Sequence, residues 1–446
     1  MATRTLVRSF ARTVTALLIV TLITAACGLS NSNTGSGGQA TDVKPKIAKE
    51  PTKPVTITFS SWVAGQGSQI LKWADQFHKI HPNITIQFQN VPADSSTQKL
   101  TTEIAGGNPP DAAFMDSGAI GDFAPRGALV NLDGYVAGSK VVQADDYVPG
   151  FKSAAMYKGH MFALPFEGET TSLFYRTDMF QQAGITHPPT TWAEFRADAA
   201  KLTDPAKKQY GFIEFAPESS YYWYPFLWQA GGEQLTPDGQ KVAFDSPAGQ
   251  QAAKFFVSLA KYSPKDYLNS NSWDGRVAFA TGRVAMYMAG QWFGGEMQAS
   301  FPQINGKWGV APLPKGPQGC ATSIAGDDLG VFAQSKNQDA AWMWIEYLSS
   351  KKHLGAWTFG SKTSSELPTR ESLLHSPDLG KYNPWLKSVV NNMKCAVSPS
   401  FTQTKWGRVD QILNQQLGKA MYGDVSATEA LKTAADQGNK ILSGNG

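Results

Sequence analysis

From Val55 the chain alternates. In "VTITFSSW" the apolar Val55, Ile57 and Phe59 are separated by Thr56, Thr58 and Ser60, the period of two expected of a half-buried strand. The next segment, "SQILKWADQFHKIHP", changes period. Ile70, Ala74 and Phe77 fall on one helical face with Leu71 and Trp73 beside it, and Pro82 stops the helix. "NITIQFQNV" alternates again, "TQKLTTEIAGGNPPD" reads as a short helix ended by Gly106-Gly107, and "DAAFMDS" is a third strand. Strand–helix–strand–helix–strand predicts an α/β fold built on a parallel, doubly wound sheet.

After "YKGHMFALPFEGETTSLFYRTDMFQQAG" the pattern restarts. In "TTWAEFRADAAKL" Thr191 is the predicted N-cap, with Glu194 three residues on as its capping box. Helices follow in "GQQAAKFFVSLAKY" and "DAAWMWIEYLSS". The strand "KWGVAPLP" precedes Cys320 and "DDLGVFAQS" follows it. The stretch "ILNQQLGKAMYGDVSATEALKTAADQGNKIL" predicts two helices joined at Gly423. A body of about 390 residues is too long for one core and predicts two domains. No second Pro/Gly/Ser-rich linker separates the halves, which two lobes sharing several crossing strands would explain.

The chain opens differently. Arg4, Arg8 and Arg12 precede an apolar run from Val14 to Ala26, broken only by threonines. At ~1.5 Å per residue this run is too short for a ~30 Å hydrocarbon core, so residues 1–26 are expected to be a signal peptide. Cys27 follows in "ITAAC", which resembles a bacterial lipobox and implies lipidation of that cysteine. An ordinary secretory leader followed by a chance cysteine is the alternative. Residues 27–53, rich in Ser, Asn, Gly, Thr, Lys and Pro, are expected to form a flexible tether with a reach of roughly 25–30 Å.

Removing the leader changes the charge balance. It takes three arginines and no acid, so the 40 Lys+Arg fall to 37 against 36 Asp+Glu. A near-neutral body gives no reason to expect nucleic acid or anionic lipid as a partner. Cys320 and Cys395 lie outside the cytoplasm on this reading, where a disulfide between them is expected. Two separate buried thiols are the alternative.

Several motifs, read in order, resemble the family 1 extracellular solute-binding proteins, the sugar receptors of bacterial ABC importers. They are "PPDAAFMDSGAIGDFAPRGALVNLDGYV", "YKGHMFALPFEGETTSLFYRTDMFQQAGITHPPTTWAEF", "FATGRVAMYMAGQW", "WGVAPLPKG", "AQSKNQDAAWMWIEYLSS" and "LPTRESLL". The resemblance implies a two-lobed periplasmic-binding-protein type II fold whose hinge the chain crosses three times. Lobe one would hold residues 54–163 and 317–364, and lobe two 164–316 and 365–446. It also implies a monomer that partners ABC permease subunits, needs no cofactor, and meets the membrane through its lipid.

In such a sheet, ligands sit beyond the carboxyl ends of strands. The candidates are Trp62 and Gln66 after the first strand, Asp116 and Ser117 after the third, and Glu167, Glu169 and Tyr175 around the first crossing. Within "YYWYPFLW" one or two of Tyr222, Trp223 and Trp228 are expected in the cleft. Gly290 and Trp292 stand in "AGQW", Gly326 and Asp327 in "AGDD", and Arg370 in "LPTR". The resemblance implies sugar stacking for Trp292, ligand contact for Asp116, and a reach into the cleft for Arg370. Each polar site has a structural alternative: Asp116 or Ser117 as a helix cap, Glu167 or Glu169 paired with Arg176, and Arg370 paired with Glu366 or Glu371. The mixture suits a pyranose, whose C–H face lies on an aromatic ring while its hydroxyls bond to charged groups. Two departures stand out. Gln291 occupies a position where many relatives have Pro, and Asp327 one where they often have Gly.

Enzyme signatures are missing. There is no G-x-S-x-G elbow, phosphate loop or H-E-x-x-H, and His78 and His81 have no third metal ligand nearby in sequence. Glu167, Glu169 and Asp116 could in principle supply a glycosidase pair. Within transport, the competing ligands are glycerol 3-phosphate and glycerophosphodiesters, which would want Arg and N–H donors rather than acids. A surface adhesin or scaffold with no cleft is the reading outside transport.

Overall fold

The computed structural model describes residues 43–65, 68–214, 216, 219–265, 275–399, 403 and 405–444. The leader, Cys27, the tether up to residue 42, and Gln66 lie outside the described residues.

In chain order the strands are β1 (Val55–Ser61), β2 (Ile84–Asn90), β3 (Ala112–Asp116), β4 (Met156–Tyr157), β5 (His160–Met161), β6 (Ala163–Thr170) and β7 (Ser172–Arg176). They continue as β8 (Tyr210–Phe212), β9 (Val284–Ala289), β10 (Trp308–Ala311), β11 (Thr322–Val331), β12 (Leu367–Pro368) and β13 (Ala396–Val397). The larger sheet has the order β12-β6-β11-β3-β1-β2, with β13 also paired to β11. The smaller sheet has the order β10-β7-β9-β8.

The alternation of β1 is realised: Ile57 and Phe59 are fully buried. The helix Gln69–Ile80 buries Ile70, Trp73 and Phe77 and ends at His81, before Pro82. Trp73 sits deeper than the Ala74 expected beside it, because its large ring reaches the layer of Trp357 and His353. β1 runs parallel to both β2 and β3, so the first two crossovers wind as predicted. Thr191 caps its helix by accepting from the Glu194 N–H at 3.2 Å, while the Glu194 carboxylate turns back one residue further, to the Thr190 N–H at 2.7 Å. The terminal helices Trp406–Tyr422 and Ala427–Leu442 meet at Gly423, whose φ of 84° only glycine adopts readily.

Two large cores back the two sheets. One holds Ile57, Phe59, Phe77, Phe114, Leu329, Trp342 and Trp344. The other holds Leu173, Phe195, Phe212, Trp223, Phe226, Phe256, Met286 and Leu413. The first crossing comes later than residue 163. All of β6 pairs with β11 in the larger sheet, and the chain changes sheets at Thr170–Ser172. β12 likewise joins β6, so lobe one regains residues 367–368 after the third crossing. An apolar pattern locates a strand but does not say which sheet it joins.

The tether is shorter than its composition suggests. Lys46 N–H donates to Gly134 O at 2.7 Å, Lys49 N–H to Asp339 Oδ2 at 3.1 Å, and Asn83 to Pro51 O at 2.8 Å. Lys46 Nζ also reaches Tyr135 OH, 2.5 Å away. Residues 46–51 are therefore strapped to lobe one by main-chain bonds, which a reading of side-chain polarity does not see. A methyl on Gly138 would lie 2.5 Å from Lys46 O, so the strap needs that glycine. Cys320 and Cys395 are joined by a disulfide, Cα–Cα 5.6 Å, that ties the start of β11 to the segment leading into β13.

Candidate functional site: a carboxylate cleft at the sheet crossing

Strand register assembles the site. Asp327 on β11 stands opposite Asp116 on β3 and opposite Glu167 on β6, with a β-bulge at Asp327/Asp328. Glu169 lies two residues beyond Glu167, on the same face of the strand. Glu366 immediately precedes β12, whose Leu367 and Pro368 pair with Gly168 and Glu167. Four neighbouring strands thus bring five acids to one place. Gly326 belongs to this packing, because a methyl there would collide with Glu167 O.

Lobe two, built on the smaller sheet, supplies the facing rings. Tyr221, in the helix Ser219–Gln229, donates its hydroxyl to Glu169 Oε1 at 2.8 Å. Trp292 opens the helix Trp292–Ser300 and also hydrogen-bonds Glu169. Gly290 makes this possible: a methyl there would overlap Glu169 Oε2. On the other side Trp357 Nε1 donates to Glu167 Oε2.

The electrostatics are those of crowded acids. Burial is the first cause in each case. Glu169 is raised to about 7, by burial first, with Tyr221 and Trp292 beside it opposing and the nearby Asp116 and Glu167 adding to the rise. Asp327 is pushed well above the ordinary carboxyl range by burial and then by Glu167, whose own carboxyl is also raised. Ionising one of these two acids makes it harder for the other to ionise. Glu366 is raised by burial and by Glu167 and Glu169. Asp116 is raised by burial although it is exposed to water, the combination expected at the floor of an open cleft. Near neutral pH the cluster therefore holds protons and offers both hydrogen-bond donors and acceptors. Among the described residues no group of three or more His, Cys, Asp or Glu is arranged to hold a metal ion.

The remaining predicted residues divide. Trp62 is half-buried just past β1, edge-on to Phe114 at 4.6 Å, at the same sheet end as Asp116. Ser117 does not face the cleft; it is buried and donates to Gly326 O at 2.7 Å, holding β3 to β11. Tyr175 packs within lobe two, against Gly309 and 5.0 Å from Phe180. Trp223 has no exposed surface and belongs to the core. Tyr222 and Trp228 are half-buried against that core, Tyr222 with its ring edge-on to Tyr221 at 5.3 Å. The residue of this run that reaches the acids is Tyr221.

Arg370 is a correction of another kind. It is fully buried, donating to Val141 O at 3.1 Å and Ser349 O at 2.7 Å, with Asp146 at 3.9 Å and the Tyr147 ring 5.2 Å away. It braces lobe one, since burying a guanidinium requires partners of this kind. Arg176 is also occupied, by Asp178 and by Phe279 O, so neither glutamate needs it as a partner. Glu366 and Trp357 were missed as site residues. Glu366 was visible only as a potential partner of Arg370, and nothing in the sequence period of its helix sets Trp357 apart from a core tryptophan.

A sequence model of the bacterial extracellular solute-binding protein family matches residues 60–353. The chain is similar to a putative binding protein of Brucella abortus, 26% identical over 87% of this chain and 93% of the relative. It is also similar to a maltotriose-binding protein of Pyrococcus abyssi, 24% identical over 79% of this chain and 75% of the relative. Among solved structures, an ABC transporter solute-binding protein from Thermotoga lettingae bound with α-D-tagatose aligns with a TM-score of 0.79. The two are 28% identical, over 88% of this chain and all of that one. This chain belongs to the bacterial extracellular solute-binding protein family.

Proposed function

We propose that the protein is the substrate-binding lipoprotein of an ABC importer, capturing a mono- to oligosaccharide between its lobes and delivering it unaltered to the permease. The observation that carries this reading is the set of five acids on β3, β6, β11 and the approach to β12, facing Tyr221 and Trp292 of the other lobe. Hydroxyls are donors and acceptors at once, and a part-protonated carboxyl cluster matches them in both senses. Trp292, Tyr221 and Trp62 offer flat apolar faces for the C–H side of a ring. The tagatose and maltotriose bound by relatives are solutes of this kind.

Ligand bridging both half-sites shifts the open–closed equilibrium by its differential affinity for the closed form. Lipid on Cys27 would keep the receptor at the membrane. An anionic glycerophosphodiester fits less well: it would meet five acids, and Arg370 and Arg176 are already bonded elsewhere.

A thermal-shift panel of mono-, di- and trisaccharides, polyols and glycerophosphodiesters tests this, because only a ligand of the folded state raises the melting temperature. The reading expects stabilisation by a sugar or polyol, followed by its chromatographic recovery unchanged. Stabilisation by phosphodiesters alone, or hydrolysis of the bound sugar, would overturn it. Scattering that shows no compaction with the stabilising sugar would favour the scaffold reading.

A further inference from the structure

The side chain of Gln291 is fully buried and all its polar atoms are occupied by one short segment. Its Oε1 accepts from the Thr170 N–H at 2.8 Å. Its Nε2 donates to Thr170 O at 2.7 Å, with Ser172 Oγ at 3.0 Å and Thr170 Oγ1 at 3.3 Å. An amide that both accepts from and donates to one residue does what an opposite residue does in an antiparallel ladder.

The register explains why a side chain is needed there. β12 pairs with β6 at Leu367↔Gly168, and two residues further the same register would put Ser365 opposite Thr170. The backbone does not continue that ladder. Gln291 lies in between, taking the Thr170 peptide with its side chain and giving its own carbonyl to Ser365 Oγ at 2.7 Å. Ser365 Oγ in turn accepts from Gly295 N–H at 2.9 Å. The first and third crossings are therefore joined through one glutamine of lobe two.

Its neighbours in sequence define the consequence. Gly290 leaves the space that Glu169 fills, Trp292 bonds Glu169, and Gln291 fixes the next peptide along. We propose that Gln291 is a positioning residue whose amide replaces a missing strand beside Thr170, holding Glu169 against Tyr221 and Trp292 so that this acid travels with lobe two. The proposal rests on the reading of Glu169 as a ligand-facing group. Without the clamp, the Thr170 N–H and carbonyl lose their partners, and the strand between Gly168 and Ser172 is free to turn the carboxyl towards solvent. The groups packed around the amide, Thr170, Ser172 and Ser365, do not titrate. The titratable neighbours of Glu169 are Asp116, Glu167, Asp327, Glu366 and the Tyr221 hydroxyl.

The test uses the full chain without ligand, labelled with 13C at glutamate carboxyls and assigned with Glu169→Gln. The wild-type Glu169 should titrate near its raised value of about 7. In Gln291→Met, which keeps the volume and removes both polar atoms, the midpoint should fall by about one pH unit or more towards the ordinary carboxylate value. Affinity for the stabilising sugar should fall about tenfold, or about 1.4 kcal/mol. Gln291→Glu adds a rescue arm. A protonated carboxyl donates and accepts as the amide does, so the Thr170 N–H should exchange at about the wild-type rate at pH 5 and many-fold faster than wild type at pH 8. An unchanged Glu169 midpoint in Gln291→Met overturns the proposal. So does an equal shift in Phe195→Leu, a remote core variant of matched melting temperature. If Gln291→Met does not fold, the Gln291→Glu exchange profile decides, and a pH-independent ratio to wild type refutes it. Failure of every sugar to bind would remove the carbohydrate reading while leaving the titration result standing.

Discussion

Replacing Glu169 by glutamine should stabilise the empty protein at pH 8 and weaken its hold on sugar. The carboxyl titrates at about 7 in the fold against an ordinary value of 4.5. Below 4.5 the group is protonated whether the chain is folded or not, and it contributes no difference. Between 4.5 and 7 the unfolded chain ionises first, so stability falls as pH rises, and above 7 the full deficit is present. At about 1.4 kcal/mol per pH unit the deficit is at most about 3 kcal/mol. Glutamine removes it and can still accept from Tyr221. With an unfolding entropy of about 2.1 cal/mol/K per residue over roughly 400 residues, this is a rise of about 3–4 °C in melting temperature. Scanning calorimetry of wild type and Glu169→Gln at pH 4, 6 and 8 should show coincident transitions at pH 4 and a gap that opens with pH. A gap that is constant across pH, or a variant less stable than wild type at pH 8, would refute the account of Glu169 as an acid held ready at the expense of stability.

Gly290→Ala should place a methyl where Glu169 Oε2 lies, costing about 1–3 kcal/mol of stability and more than tenfold in sugar affinity; calorimetric titration checks the second effect. Trp292→Ala should lose about 1 kcal/mol of ring contact, a five- to tenfold weaker Kd, and unchanged affinity would remove Trp292 from the site. Opening the Cys320–Cys395 bond, which spans 75 residues, should cost about 4 kcal/mol in the chain-entropy picture. Melting of the Cys320→Ser/Cys395→Ser double variant against wild type measures it, and equal transitions would show that the β13 pairing alone holds that segment.

Local features were legible because they are written in local periods. The alternation of β1, the shared face of Ile70 and Phe77, the Thr191 cap and the Gly423 break each depend on residues within one or two turns. The acids Asp116, Glu167, Glu169 and Asp327 were singled out because each follows or crosses a strand end. Errors began where two segments had to meet. Arg370 looked like a ligand group until Val141, Ser349 and Asp146, none adjacent to it in sequence, enclosed it. Tyr221 was passed over for Trp223 because a run of aromatics carries no mark of which ring turns outward. The polar strap at Lys46–Pro51 has the composition of a slack tether because the partners that hold it, Gly134, Tyr135, Asp339 and Asn83, lie far away in sequence.

By itself, the sequence determined the parallel winding of β1, β2 and β3, the helices and strands with a clear period, and four of the acids with Trp292 and Trp62, whereas β11 and β12 enter the larger sheet antiparallel. Only the tertiary structure decided that β6 stays in the larger sheet until Thr170, which acids crowd one another, and that Gln291 completes a ladder no strand reaches. The reason is range. Periodicity and capping are settled by neighbours along the chain, whereas register and burial depend on the partner that another segment brings, and a carboxyl's charge depends on both.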